Sequence, residues 1–190
     1  MFYTSEIKRN APLEFATPLQ KAIYGKFHEL EIPLERIDCD PGITMEDCLN
    51  VDRALRAHTV KTLFLCNRQQ TKYYLFVTTG TKPFITKVFG AALAIPRVSF
   101  ASEDKLRSML GTPHGSSTVL SCCLVPKDLL SGAGDLSLSV ILDREVLEAD
   151  SFCCTDGTAT CFVKISVPDL RRFLAAAGVT PTIIDYQPEQ

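Results

Sequence analysis

No apolar run in this 190-residue sequence comes near the roughly 18–20 residues that a membrane-spanning helix needs; the most apolar stretch, residues 89–95, is far shorter. The opening MFYTSEIKRN carries charges where an export signal would need an apolar segment, so the chain is expected in the cytoplasm with no membrane partner. There is no C-x-x-C pair, and the three histidines (His28, His58, His114) stand at no metal-ligand spacing from the eight cysteines. No metal and no other cofactor is therefore expected. The thiols include two adjacent pairs, Cys122-Cys123 and Cys153-Cys154, inside strand-like runs, and read as small buried hydrophobes of a reducing compartment. Also missing are the G-x-S-x-G elbow, the G-x-x-x-x-G-K-[ST] phosphate loop, the G-x-G-x-x-G fingerprint and the H-E-x-x-H zinc helix. A thiol hydrolase would need a histidine beside one of the cysteines, and the sequence lends that pairing no support.

Carboxylates are missing in one place only. Residues 1–52 hold ten acids and five bases, and residues 103–190 hold twelve acids and seven bases. Residues 53–102 hold eight bases (Arg53, Arg56, Lys61, Arg68, Lys72, Lys82, Lys87, Arg97) and no acid. Within a net charge of −2, such a window gives a local positive potential suited to a phosphate backbone, provided that its bases share a face. If they are scattered around the fold, the window means nothing.

What is present is the composition of an ordinary globular protein, 46% hydrophobic and 22% charged, with length for one sizeable core rather than two. Residues 1–18 read as an extension. Leu19, Ile23, Phe27 and Leu30 recur at helical spacing over 19–32, and Pro33 closes that helix. Residues 35–38 suit a short strand. Thr44 followed by Asp47 is a capping-box pattern opening a helix that carries Met45, Cys48, Leu49 and Leu55. The runs at 61–67 and 73–78, separated by a polar loop, read as a hairpin. Further on, the pattern predicts helices at 84–93, 102–110 (Ser102 as cap, Gly111 as stop), 144–147 and 168–177, and strands at 98–100, 117–124, 136–142, 158–165 and 182–185, with a turn at 131–134. Helices and strands alternate without a regular βαβ repeat, which predicts an α/β domain around a mixed sheet.

Three segments carry candidate chemistry. Lys61 opens an otherwise apolar strand, a compact cation able to reach a phosphate or a carbonyl. The loop Leu110-Gly-Thr-Pro-His-Gly-Ser-Ser-Thr118 has the glycines and small hydroxyls that let backbone N–H groups approach an oxyanion. The run Asp150-Ser-Phe-Cys-Cys-Thr-Asp-Gly-Thr-Ala-Thr160 places an Asp156-Gly157 turn ahead of a strand. Each has a plainer reading: a solvated lysine, a helix C-cap loop and a β-turn.

In order and context, however, K-T-L-F-L-C-N-R with Y-Y-L-F-V-T, R-V-S-F-A-S-E-D-K-L, L-G-T-P-H-G-S-S-T, V-I-L-D-R-E-V-L-E, D-G-T-A-T and D-L-R-R-F-L-A-A-A-G resemble the YbaK/ProX aminoacyl-tRNA deacylase family, in its prolyl-tRNA editing branch. The resemblance spans roughly residues 19–186, taken as the domain, with 187–190 as a tail. It implies a single domain with a mixed, mostly antiparallel, barrel-like sheet and surrounding helices. The implied activity is hydrolysis in trans of the ester of a mischarged tRNA, most simply alanine on a proline tRNA, with a positioned water and no metal. Mischarged tRNA would be the partner, and prolyl-tRNA synthetase a second one. The implied catalytic set is Lys61, Gly111, Gly115 and His114; Thr62, Ser116, Thr118, Asp156 and Thr158 would contact substrate. The basic window suggests Arg53, Arg56, Arg68 and Lys72 as tRNA-binding residues. The sequence departs from the family's pattern at Thr62, His114, Cys153-Cys154 and Gly157, so a catalytically inactive tRNA- or synthetase-binding module of the same fold is the alternative.

Overall fold

The computed structural model describes residues 2–41 and 44–188. Met1 of the extension, the side chain of Met45 and the last two residues of the tail lie outside the described residues. In chain order the helices are α1 (Pro18–Glu29), α2 (Met45–Leu55), α3 (Thr86–Leu93), α4 (Glu103–Leu110), α5 (Lys127–Ser131), α6 (Arg144–Glu148) and α7 (Val167–Ala176). The strands are β1 (Glu35–Asp38), β2 (Val60–Cys66), β3 (Lys72–Thr79), β4 (Ser99–Phe100), β5 (Ser137–Asp143), β6 (Ser151–Thr155), β7 (Cys161–Ser166) and β8 (Thr182–Ile184).

The β2–β3 hairpin forms with Lys61 opposite Thr78 and Cys66 opposite Tyr73. β4 joins the outer edge of β2 antiparallel, while β5 pairs parallel to β3 and β8 parallel to β5. The result is a mixed five-stranded sheet in the order β4-β2-β3-β5-β8, beside an antiparallel three-stranded sheet β1-β7-β6. The barrel implied by the resemblance does not form: no sheet closes on itself, and one isolated bridge, Thr59 to Cys153, links the two. β4 covers β2 only at Leu65 and Cys66, so Val60, Lys61, Thr62 and Leu63 keep an edge with no strand partner among the described residues. A cavity occupies the place where a seam would close.

The largest core lies between the two sheets, where Phe64, Leu75 and Val77 meet Phe152, Val163 and Ile165 under α1 and α7. The opposite face of the five-stranded sheet buries Leu65, Phe76 and Ile141 against Phe89 and Tyr186. α2 covers the other face of the three-stranded sheet with Val51 and Leu55 against Ile37 and Phe162. β7, covered on one face by the main core and on the other by α2, is apolar on both sides over most of its length, which explains its nearly continuous apolar run.

Local signals set several boundaries. Thr17 accepts from Gln20 N (3.0 Å) and Pro18 stands in the first turn of α1. That helix stops at Glu29, short of 32, because Glu31 enters the left-handed region (φ 51°) and Ile32 N donates to Phe27 O (2.9 Å), a Schellman-type closure. The Thr44–Asp47 capping box is present, as is the Ser102 cap and the Gly111 stop of α4. The expected strand at 117–124 is instead a 3-10 helix, Val119–Cys123. Its apolar residues sit between α1 and α7, where a short buried run fits either period, and the Thr118 hydroxyl accepts from Leu120 N (3.3 Å) to open it. α5 replaces part of the expected turn, with Gly132 (φ 67°) as its cap. Residues 2–10 are tied to the domain: Lys8 and Arg36 exchange backbone hydrogen bonds (2.8 Å each way), and Ser5 N donates to Asp38 O (2.7 Å). They run along the free edge of β1, and an otherwise open strand edge is a ready acceptor of such a segment.

Gly157, in the β6–β7 turn, has φ +92°, and a Cβ there would lie 2.8 Å from Cδ2 of Leu19, itself buried. Gly157→Ala is therefore expected to lose about 1–3 kcal/mol from backbone strain and crowding together. Urea unfolding checks this; an unchanged midpoint would show that α1 yields freely at Leu19.

Candidate active site

Lys61, Thr62, His114 and Gly115 come together around one cavity of about 380 Å³. Its walls are the open edge of β2 from Val60 to Phe64, the α4-to-3-10 loop through His114, Gly115 and Ser117, and Thr155 and Phe162 from the second sheet. Phe64, Phe100, Leu106 and Phe162 make much of the lining apolar, with few polar groups to orient a ligand, the usual make-up of a small-molecule site.

Lys61 is its distinctive member. The side chain is half-buried, and burial holds the ammonium's pKa below the ordinary lysine value. No carboxylate pairs with it among the described residues; its ammonium donates to the carbonyl of Lys82. A partly desolvated cation satisfied only by one carbonyl favours an anion or a polarised oxygen arriving in the cavity.

That carbonyl is held by an ion cluster. The Lys82 ammonium, its side chain 13% exposed, donates to the buried carboxylate of Asp143 (2.8 Å) and to Tyr186 O (2.9 Å), and meets Glu145 at 2.6 Å. Thr78, directly across the hairpin from Lys61, donates its hydroxyl to the same Asp143 oxygen (2.7 Å). Although burial alone would depress it, the hydrogen bonds and charges of Asp143 and Glu145 raise the Lys82 pKa above the ordinary 10.5. Lys82 and Asp143 were visible only as members of the basic window and of the V-I-L-D run; nothing in spacing ties them to Lys61.

The other expected site residues lie elsewhere. Gly111 caps α4 (φ 70°) at the start of the loop and does not line the cavity. Ser116 and Thr118 are buried behind Gly115, Thr118 against the thiol of Cys154 (3.5 Å), while the Ser116 hydroxyl finds no partner among the described residues. Asp156 is fully buried and faces α1: it accepts from Gln20 Nε2 (2.8 Å), Tyr24 OH (3.1 Å), Thr158 N (3.2 Å) and Thr158 Oγ1 (2.8 Å). Burial and that carboxylate push the Tyr24 pKa far up, so the phenol remains a donor. Asp156 and Thr158 therefore form a turn that pins α1, away from the cavity lining.

The basic window divides. Arg53 and Arg56 are exposed at the end of α2, and Arg56 lines a groove of about 610 Å³ that shares Cys48, Thr59, Val60 and Gly80 with the cavity. The same groove carries Asp52, Glu145, Glu148 and Asp150. Arg68 and Lys72 are exposed at the hairpin tip, about 20 Å along β2 from Lys61 at some 3.3 Å per residue. The four cations do not form one patch.

Sequence reasoning missed Phe100, Cys48, Thr155 and Phe162 as cavity residues, since tertiary packing alone assembles them. All eight thiols are free. Burial, with Asp52 and Asp47 adding to it, raises the pKa of Cys48, the thiol of the lining, which disfavours a thiolate there. No group of three or more His, Cys, Asp or Glu among the described residues is placed to hold a metal ion. No helix among them is long and apolar enough to cross a membrane.

Fold and cavity together define a small α/β protein whose cavity sets a partly desolvated cation beside a glycine-containing loop. The chain belongs to the aminoacyl-tRNA editing domain family, whose model matches residues 40–173. It is 25% identical over 161 residues to a prolyl-tRNA editing protein ProX of Acetoanaerobium sticklandii, covering 85% of this chain and 93% of that one. Among solved structures, a candidate trans-editing enzyme for prolyl-tRNA synthetase superposes with a TM-score of 0.60 at 16% identity, covering 91% of this chain and 100% of that one. A scaffold protein used for computational epitope grafting superposes with a TM-score of 0.62 at 16% identity, covering 92% and 99%. These two structures share the fold.

Asp143→Ala should remove about 3 kcal/mol of stability, because Lys82 is left charged and largely buried with only the half-exposed Glu145. Lys82 has a folded pKa above 10.5, so this stabilisation is complete below pH 10.5 and is lost as the pH rises through the folded value. The gap between wild type and variant, measured by denaturant unfolding, should accordingly be constant through neutral pH and narrow in strong alkali.

Proposed function

We propose that the protein is a trans-editing deacylase that hydrolyses the ester of a mischarged tRNA, with Ala-tRNA(Pro) as the first substrate to test. The observation that carries the proposal is Lys61: a half-buried cation without a carboxylate partner, held at the cavity by Lys82 O and facing the loop of His114 and Gly115. An ester is already activated relative to an amide, so a positioned water and stabilisation of the developing oxyanion suffice for hydrolysis. Lys61 would neutralise that charge, or hold the substrate beside it. Gly115, with φ 82°, opens the loop backbone to the ester, and the exposed His114 imidazole is the group within the lining able to carry a proton. Thr62 lines the cavity, and its hydroxyl, buried and without a hydrogen-bond partner among the described residues, would need a small side-chain rotation to reach a substrate. Prolyl-tRNA synthetase, as the source of the mischarged tRNA, would be the second partner.

The experiment is a panel of mischarged tRNAs incubated with purified protein, following loss of the ester. Hydrolysis of alanyl-tRNA(Pro) above the spontaneous rate supports the reading; binding of tRNA without hydrolysis of any ester would leave an inactive binding module. Lys61→Ala is expected to slow deacylation at least tenfold with the fold intact, the loss of one charged contact worth about 1.5–3 kcal/mol. Near-wild-type turnover by a folded variant removes Lys61 from the mechanism.

For the tRNA body, the proposal places phosphates on Arg53 and Arg56 at one end of the hairpin and on Arg68 and Lys72 at the other. Four such contacts give a slope of roughly −3 to −4 in log K against log salt. Arg56→Glu and Lys72→Glu should each weaken cognate and non-cognate tRNA alike, because phosphates carry no sequence information. A salt slope near zero would show that the acid-free window is an accident of composition.

A further inference from the structure

Phe100 is a large aromatic that the fold leaves 61% exposed, and it stands in the lining of the Lys61 cavity. Exposure of a single apolar side chain is ordinary, but the support of this one is not. β4 is two residues long, and its pairing places Phe100 opposite Leu65, on the face of β2 that also carries Lys61. The ring packs edge-on against Phe84 (centroids 5.6 Å apart, planes at 66°). Phe84 in turn contacts Phe76, Phe89 and Tyr186. Tyr186 OH donates to Pro83 O (2.9 Å) and accepts from Ile85 N (2.7 Å), which fixes the backbone on both sides of Phe84. One edge of the Phe100 ring is therefore anchored to a rigid aromatic cluster while most of its surface stays in solvent at the cavity mouth.

On the reading that the cavity takes the aminoacyl ester of a tRNA, we infer that Phe100 is the stacking platform for the base of the terminal nucleotide that carries the ester. Every tRNA ends in adenosine, and a purine presents a π-face to an aromatic ring with no need for base-edge hydrogen bonds. Four residues separate Lys61 from Leu65, the partner of Phe100, about 13 Å along the strand. An aminoacylated nucleoside spans that interval from base to acyl group. The chain ahead of Phe100 would supply charge for the adjoining phosphate: Lys87 and Arg97 line one hollow of about 410 Å³. Base on Phe100 and acyl group beside Lys61 would fix the ester between them, so that Phe100 acts on binding and Lys61 on the reacting oxygen.

The chain contains no tryptophan, so Phe100→Trp creates a single fluorescent reporter at this position. Adenosine 5′-monophosphate should quench it saturably, and ribose 5-phosphate, which lacks the base, should not; equal quenching by both, or by neither, overturns the inference. In kinetics, Phe100→Ala and Phe100→Leu should raise KM for alanyl-tRNA at least fivefold with kcat little changed, and Phe100→Tyr should restore it. The same variants should lose much less on alanine ethyl ester, which has no base, than on alanyl-tRNA. Equal losses on both esters would make Phe100 a structural residue and refute the stacking role. If the wild type cleaves neither ester, the deacylase reading fails while the quenching experiment still decides whether a base stacks on this ring.

Discussion

The carboxylate of Asp143 is the point on which the cavity depends. It ends β5, caps α6 by accepting from Glu145 N (3.4 Å), and receives Thr78 and Lys82 at once. Buried as it is, such a charge persists only where donors surround it. Through Lys82 it fixes the carbonyl that holds Lys61, and through Thr78 it fixes the strand position facing Lys61. Lys61 has no counter-ion of its own among the described residues and is aligned at one remove, by a backbone atom whose residue is locked into an ion cluster. An arrangement of this kind keeps the Lys61 ammonium oriented without neutralising it.

A second buried carboxylate serves the opposite wall. Asp156 gathers Gln20, Tyr24 and Thr158, tying α1 to the β6–β7 turn, and Gly157 gives the backbone room to pass Leu19. This turn follows Thr155, which lines the cavity. The two sheets are thus braced by separate polar knots, one at the end of β5 and one after β6, with an apolar layer between them and the cavity along the unpaired edge of β2. That edge is where hydrogen-bonding groups of the backbone stay available, because β4 is too short to cover it.

The chemistry was only partly legible in advance. Lys61, Thr62, His114 and Gly115 were singled out and do share a cavity. Asp156 and Thr158 belong to a turn whose burial no local pattern discloses. The sequence left open whether the bases of the acid-free window share a face; a hairpin about 20 Å long carries Arg53 and Arg56 apart from Arg68 and Lys72. Phe100 passed as one more apolar strand residue, since exposure of a ring depends on which strands stop short beside it.

Sequence by itself determined the local events: the hairpin, whose runs alternate with a polar loop; the Thr44–Asp47 box and the Ser102 cap, which satisfy their helix ends within four residues; the Pro18 and Gly111 boundaries; and the family, carried by several short motifs in one order. These depend on interactions between near neighbours, so they can be read from spacing. Tertiary structure alone decided that residues 119–123 wind as a 3-10 helix, that the sheets stay open, that Asp143 organises Lys61 through Lys82, and that Phe100 faces solvent. Each of these turns on partners far apart along the chain, 61 residues in the case of Lys82 and Asp143. A period of two or 3.6 residues holds no record of such pairs.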